Sequence, residues 1–158
     1  MMWAFLDKHE NELEALLGGP ASAITPVPSK RGRTFEEQPL RQALSMVQPI
    51  REQLVHALTF VPAPDINWRR DYYPACFDPG AFSVAGERVI LIEDTWVTGA
   101  TALSAAGALL RGGAAGVAIV PIARVIDVSF WENQEHPYLA KIRGERRDPF
   151  TVEVWPRS

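Results

Sequence analysis

A chain of 158 residues holds one compact domain, and its 47% apolar and 22% charged residues describe an ordered globular protein with one core. A formal charge of −3 excludes a general attraction for nucleic acid or an anionic membrane, so any anion site is local. Cys76 is the only cysteine, which rules out an intramolecular disulfide framework and a thiolate zinc centre and suits a reducing cytoplasm.

The opening apolar run meets Asp7 and Lys8 too early for a signal-peptide core. No stretch of about 18 apolar residues follows it, so neither export by that route nor a membrane span is expected. Phe5, Leu6, Leu13, Leu16 and Leu17 fall near helical spacing, and Gly18-Gly19-Pro20 stops the run, which predicts one amphipathic helix. Residues 21–28 read as a short strand that delivers the basic loop Ser29-Lys30-Arg31-Gly32-Arg33. Pro39 opens a helix near its first turn, and Pro49 breaks or restarts it before Leu58.

Thr59-Phe60-Val61 predicts a second strand. Residues 62–86 carry Pro and Gly together with Arg69, Arg70, Tyr72 and Tyr73, and read as a long loop of the kind that serves as a lid. Val89-Ile90-Leu91-Ile92 is a continuous apolar run, the pattern of a central strand covered on both faces. Residues 100–111 repeat Ala and Leu at helical spacing, Gly112-Gly113 ends them, and 116–122 supplies another strand. Such a strand-helix-strand unit predicts parallel pairing with a right-handed crossover, which places both strand ends on one sheet edge, where ligands bind. From Asp127 onward come Trp131, His136, Tyr138, a basic stretch at Lys141 to Arg147, and a final strand expected at 151–155.

The chemistry concentrates in Val89-Ile90-Leu91-Ile92-Glu93-Asp94-Thr95-Trp96-Val97-Thr98-Gly99-Ala100-Thr101. The apolar strand delivers two adjacent carboxylates to the sheet edge, and a hydroxyl- and glycine-bearing turn opens directly into a helix. That turn can aim backbone N–H groups, the Thr98 and Thr101 hydroxyls and the positive helix end at one phosphate, with Gly99 allowing close approach. Glu93 and Asp94 are acceptors suited to vicinal sugar hydroxyls. Together they read as a site for a ribose 5-phosphate.

This string resembles the PRPP-binding signature of type I phosphoribosyltransferases: apolar strand, two acids, a few loop residues, then Thr-Gly-x-Thr. With Val27-Pro28-Ser29-Lys30-Arg31-Gly32-Arg33, it looks nearest to the actinobacterial competence-F-like branch, over roughly residues 5–125. The resemblance implies an α/β type I phosphoribosyltransferase fold, a mainly parallel sheet flanked by helices, as a single domain. Its core would span about 20–125, with a small hood from the N-terminal helix, from 127–158, or from both. It further implies that Glu93 and Asp94 hold the ribose hydroxyls, Thr95, Trp96, Val97, Thr98, Gly99, Ala100 and Thr101 surround the 5-phosphate, and Ser29, Lys30, Arg31 and Gly32 hold pyrophosphate. A mobile lid between the second and third strands would supply Arg69, Arg70, Tyr72 or Tyr73. Trp96 is bulky beside the aliphatic residues of many family members, and the hood is small and unrecognisable.

The implied activity is transfer of 5-phosphoribosyl from PRPP to a nitrogenous acceptor, or the reverse, with Mg²⁺ near Glu93 and Asp94 and with Lys30, Arg31 and Arg33 near the leaving group. Glu93, Asp94, Lys30 and Arg31 are then the catalytic set. The other readings are a non-catalytic PRPP or nucleotide sensor, and a homodimer or hetero-assembly in which another chain supplies the hood. Receiver, Walker-B and dehalogenase sites fit less well, since the string lacks a Gly-x-x-x-x-Gly-Lys-Ser/Thr partner and residue 96 is Trp. Blander readings also stand: an acidic strand end before an ordinary capped helix, a solvated basic turn at Lys30 and Arg31, and solvated charges at Arg69 and Arg70. His9, His56 and His136 share no metal-ligand spacing and read as surface or capping residues, and Cys76 reads as a small apolar filler.

Overall fold

The computed structural model describes residues 2–63 and 71–125. The chain divides after Arg124 into two units, and apart from Val125 the described residues belong to the first. The expected first helix is two, α1 (Met2–Lys8) and α2 (Glu10–Leu17). They meet at His9, whose backbone at φ −112° and ψ 23° leaves helical geometry. Bonds from His9 N–H to the Phe5 carbonyl (3.0 Å) and from Leu13 N–H to the His9 carbonyl (3.0 Å) carry the turn across the break. Of the surface and capping roles expected for His9, the structure shows the cap position: His9 is the N-cap residue of α2, without a side-chain capping bond, and is buried against the Phe5 ring with centroids 4.7 Å apart. Gly18, at φ 75°, closes α2, as its sequence position predicts.

Three strands form a parallel sheet in the order β1 (Ala23–Pro26), β4 (Arg88–Trp96), β5 (Gly116–Arg124). Between β1 and β4 lie α3 (Pro39–Ser45), α4 (Gln48–Gln53) and a separate antiparallel ribbon of β2 (Leu58–Phe60) and β3 (Phe77–Pro79). The helix α5 (Ala100–Arg111) joins β4 to β5. β4 is therefore the central strand of a mixed α/β fold with helices on both sheet faces. Its side chains alternate: Val89 and Leu91 pack with Ala102, Ala105 and Leu109 of α5, while Ile90 and Ile92 pack with Leu6, Leu13, Leu17, Leu44 and Ile50 from the other helices. Burial on both faces is why residues 89–92 show no polar alternation.

Two boundaries differ from the sequence reading. The loop expected over 62–86 contains a 3₁₀ turn at Pro74–Cys76 and the strand β3, which Phe60 and Phe77 lock to β2 through an edge-on ring contact at 5.7 Å. The central strand does not stop at Ile92. β5 offers backbone partners as far as Trp96 opposite Arg124, so Glu93, Asp94, Thr95 and Trp96 are strand residues and the turn shrinks to 97–99. The basic stretch at 141–147, the strand expected at 151–155 and any hood from 127–158 lie outside the described residues. Among the described residues, no helix is long and apolar enough to cross a membrane.

Candidate functional site

The C-terminal ends of β1 and β4 lie side by side, since Pro26 pairs with Ile92 and Val27 N–H donates to the Ile92 carbonyl at 2.8 Å. What leaves those two strands therefore shares one space, a cleft of about 610 Å³. Glu93, Asp94, Thr95, Trp96, Val97, Thr98, Gly99 and Thr101 line it from the β4 side, and Ser29, Lys30, Arg31 and Arg33 from the β1 side. Gly32 does not line it, and at φ 66° makes the turn of the basic loop. Ala100 is the buried first residue of α5 and also stays out of the lining.

The turn into α5 is held from inside. Ala100 N–H donates to the Thr98 hydroxyl at 3.3 Å, tying the hydroxyl to the first helical residue. Gly99 sits at φ 82°, and a Cβ there would come within 2.2 Å of the Trp96 ring. Only glycine meets both demands, so the bulky Trp96 and the small Gly99 are one packing unit. The indole folds over the turn while the cleft stays open beside it.

Lys30 crosses the cleft, its Nζ donating to the Thr101 hydroxyl at 2.6 Å, so the basic loop and the helix entrance meet. Opposite them, Glu93 and Asp94 contact each other. Burial raises the Glu93 carboxyl to about 7 from its ordinary 4.5, helped by the hydrogen bond and negative charge of Asp94 and opposed by a hydrogen bond from the Thr95 backbone and by the charge of Lys30. At neutral pH the Glu93 carboxyl is therefore partly protonated and can donate a hydrogen bond as well as accept one. Two adjacent carboxylates are the donor number that Mg²⁺ takes from a protein when substrate oxygens and water complete its shell, so the residues fit that ion. Among the described residues, no group of three or more His, Cys, Asp or Glu gathers to hold a metal by itself.

Tyr72 and Tyr73 are placed elsewhere. The Tyr72 hydroxyl occupies the space that Gly107 leaves on α5, where a Cβ would stand 2.3 Å away. Tyr73 N–H donates to Ser104 Oγ at 2.8 Å, and that hydroxyl donates to the Ala100 carbonyl at 2.6 Å. Both tyrosines therefore dock the segment before β3 onto α5, and neither lines the cleft. Arg69 and Arg70 lie outside the described residues. The N-terminal helices cover a sheet face, and none of their residues lines the cleft.

Sequence reasoning missed part of the β1 side: Gln38, Pro39 and Leu40, at the start of α3, also form the wall, as do Val27 and Pro28. Pro39 marks a helix start, but nothing in the sequence shows that this start faces the carboxylates. Compared with known proteins, the chain matches no family model and no curated protein.

Proposed function

We propose that the cleft binds the 5-phosphoribosyl group of PRPP and that the protein is a cytoplasmic phosphoribosyltransferase of type I fold, moving that group to a nitrogenous acceptor with release of pyrophosphate, or the reverse. The observation that carries the reading is the shared cleft. Paired carboxylates at the end of the central strand face the Thr98–Thr101 helix entrance, and Lys30 reaches that entrance from the opposite loop.

Each group has a task. The helix entrance offers N–H groups, hydroxyls and a positive dipole end to a phosphomonoester. Glu93 and Asp94 accept from the ribose hydroxyls and sit where positive charge builds on the sugar as the anomeric bond opens. Lys30, Arg31 and Arg33 stand where negative charge accumulates on the departing pyrophosphate. No protein nucleophile is needed, because alignment and fixed charge supply the acceleration. Mg²⁺, held by Glu93 or Asp94 together with substrate oxygens, adds neutralisation of the leaving group when bound.

Calorimetry with PRPP and Mg²⁺ tests the site. Asp94→Asn and Thr98→Ala are each expected to weaken binding by about tenfold or more, the value of a lost hydrogen bond to a charged group. Unchanged affinity in both variants removes the assignment. A pyrophosphate-release screen across purine, pyrimidine and aromatic-amine acceptors then separates enzyme from sensor: tight PRPP binding with no turnover for any acceptor favours the sensor.

A further inference from the structure

The loop that carries Lys30, Arg31 and Arg33 into the cleft is exposed from residue 30 to 34, and the bonds from Arg31 and Thr34 stay close by, on Ser29 and Glu37. Ordering such a loop costs conformational entropy, which weakens any ligand that has to impose the order on binding. Phe35 is the first side chain past the loop to leave solvent. Its ring lies on the His56 imidazole, with centroids 4.7 Å apart and planes 14° apart. Neither ring lines the cleft.

His56 is a fixed base for that contact. Val55 N–H, one residue before it, donates to the Ile24 carbonyl of β1 at 2.9 Å, and the His56 carbonyl accepts from Phe82 N–H at 2.9 Å. Ala57 and Leu58, which follow it, are buried in the core. Gly80 packs so closely that a Cβ there would stand 2.3 Å from the His56 carbonyl oxygen. The orientation of the ring is set by its Nε2, 3.2 Å from the Thr59 hydroxyl. From the other side, the Arg41 guanidinium lies 5.5 Å from the Phe35 centroid and pairs with Glu36 at 2.5 Å, so Phe35 is held from α3 as well.

We propose that the Phe35–His56 stack positions the basic loop, presenting Lys30, Arg31 and Arg33 to an inorganic diphosphate in one arrangement without touching it. The proposal rests on the phosphoribosyl reading above and names the residues that set its leaving-group end. Phe35 and His56 are thus positioning residues. Both are half-buried, so removing either ring frees the loop without opening the core and leaves the carboxylates and the helix entrance in place.

Calorimetry with pyrophosphate and with ribose 5-phosphate decides it, on wild type, Phe35→Ala, His56→Ala, the double variant and Phe35→Tyr. Each alanine variant should weaken pyrophosphate binding at least fivefold, equal to about 1 kcal/mol and the usual worth of an aromatic pair, and leave ribose 5-phosphate affinity within twofold. The double variant should lose no more than either single one, and Phe35→Tyr, which keeps the ring, should bind pyrophosphate as wild type does. With no ligand present, trypsin should cut after Arg31 and Arg33 faster in both alanine variants than in wild type. His56→Ala serves alone if Phe35→Ala does not fold. Pyrophosphate affinity within twofold of wild type, equal loss for both probes, additive losses, or unchanged cleavage would each overturn the proposal. If wild type binds ribose 5-phosphate but no pyrophosphate, the basic-loop assignment fails and this proposal with it. If it binds neither, the phosphoribosyl reading fails first and takes this one with it.

Discussion

The two walls of the cleft are built differently. The β4–α5 wall is the end of the central strand, held by β5 as far as Trp96 and continued by a helix that buries seven of its residues, with an indole packed on the glycine between them. The β1–α3 wall runs through an exposed loop, 30–34, into a seven-residue helix with one buried side chain, Leu44. Its hydrogen bonds are mostly local: Arg31 N–H to Ser29 Oγ, and Thr34 N–H and hydroxyl to Glu37, at 2.9–3.3 Å. Phe35 anchors it by stacking on His56 at 4.7 Å. A wall fixed on regular elements suits a group that must be held in one place through a reaction, and an exposed loop suits one that arrives and leaves. In the proposed reaction those are the ribose phosphate and the pyrophosphate.

The sharpest way to break this contrast is Gly99→Ala. The new methyl group meets the Trp96 ring, and a left-handed backbone costs a non-glycine residue about 1–2 kcal/mol before that clash is counted. We expect a loss of about 3 kcal/mol by chemical denaturation, together with loss of ribose 5-phosphate binding. Repeating the substitution in a Trp96→Ala background removes the clash and keeps the backbone penalty, so the two changes should be non-additive. A Gly99→Ala protein as stable as wild type would show that the β4–α5 wall is not fixed.

The same contrast explains what the sequence discloses. The β4–α5–β5 unit is legible because its signals are local: an apolar run with no alternation, an Ala- and Leu-rich helix, and a Gly-Gly stop. The continuation of β4 through Glu93, Asp94, Thr95 and Trp96 is not, since such residues read as a turn until the β5 backbone pairs with them. β3 escapes for the opposite reason. Phe77, Asp78 and Pro79 are too few to show a period and end in proline, and only the pairing with β2 makes them a strand. On the other wall, the basic residues are legible as charge, but Gln38 is not, because its burial comes from the position of α3 beside the strand ends. The lid aromatics miss the cleft for a similar reason: Gly107 and Ser104 on α5 receive them, and a sequence shows neither surface.

A smaller effect should separate the walls by pH. Glu93 is held near 7 in the folded protein against an ordinary 4.5, so between those values the folded state binds more protons than the unfolded state. Its contribution therefore makes stability fall as pH rises from 4.5 to 7 and stay level above. The difference between wild type and Glu93→Gln, which cannot ionise, isolates that slope from the other titrating groups. Thermal melts from pH 4 to 9 should show the variant gaining on wild type through this window and holding its advantage at higher pH. A flat difference would place Glu93 in a wetter setting than the fixed wall requires.

The smallest expected change in stability comes from Lys30→Met, on the looser wall. Lys30 is exposed, and its bond to Thr101 is one contact between a solvated side chain and a helix end. Removing an exposed polar contact shifts stability by no more than about 0.5 kcal/mol. Melting temperature should therefore barely move, while on the proposed reading pyrophosphate affinity should drop and its salt dependence should lessen in part, because one of the three cations that would face the anion has gone and Arg31 and Arg33 remain. The pairing of those results matters more than either alone. Unchanged stability with weaker pyrophosphate binding marks Lys30 as a ligand-facing group on an adjustable wall. A large stability loss would instead make its bond to Thr101 a structural clasp between the two walls, and the contrast between them would no longer hold.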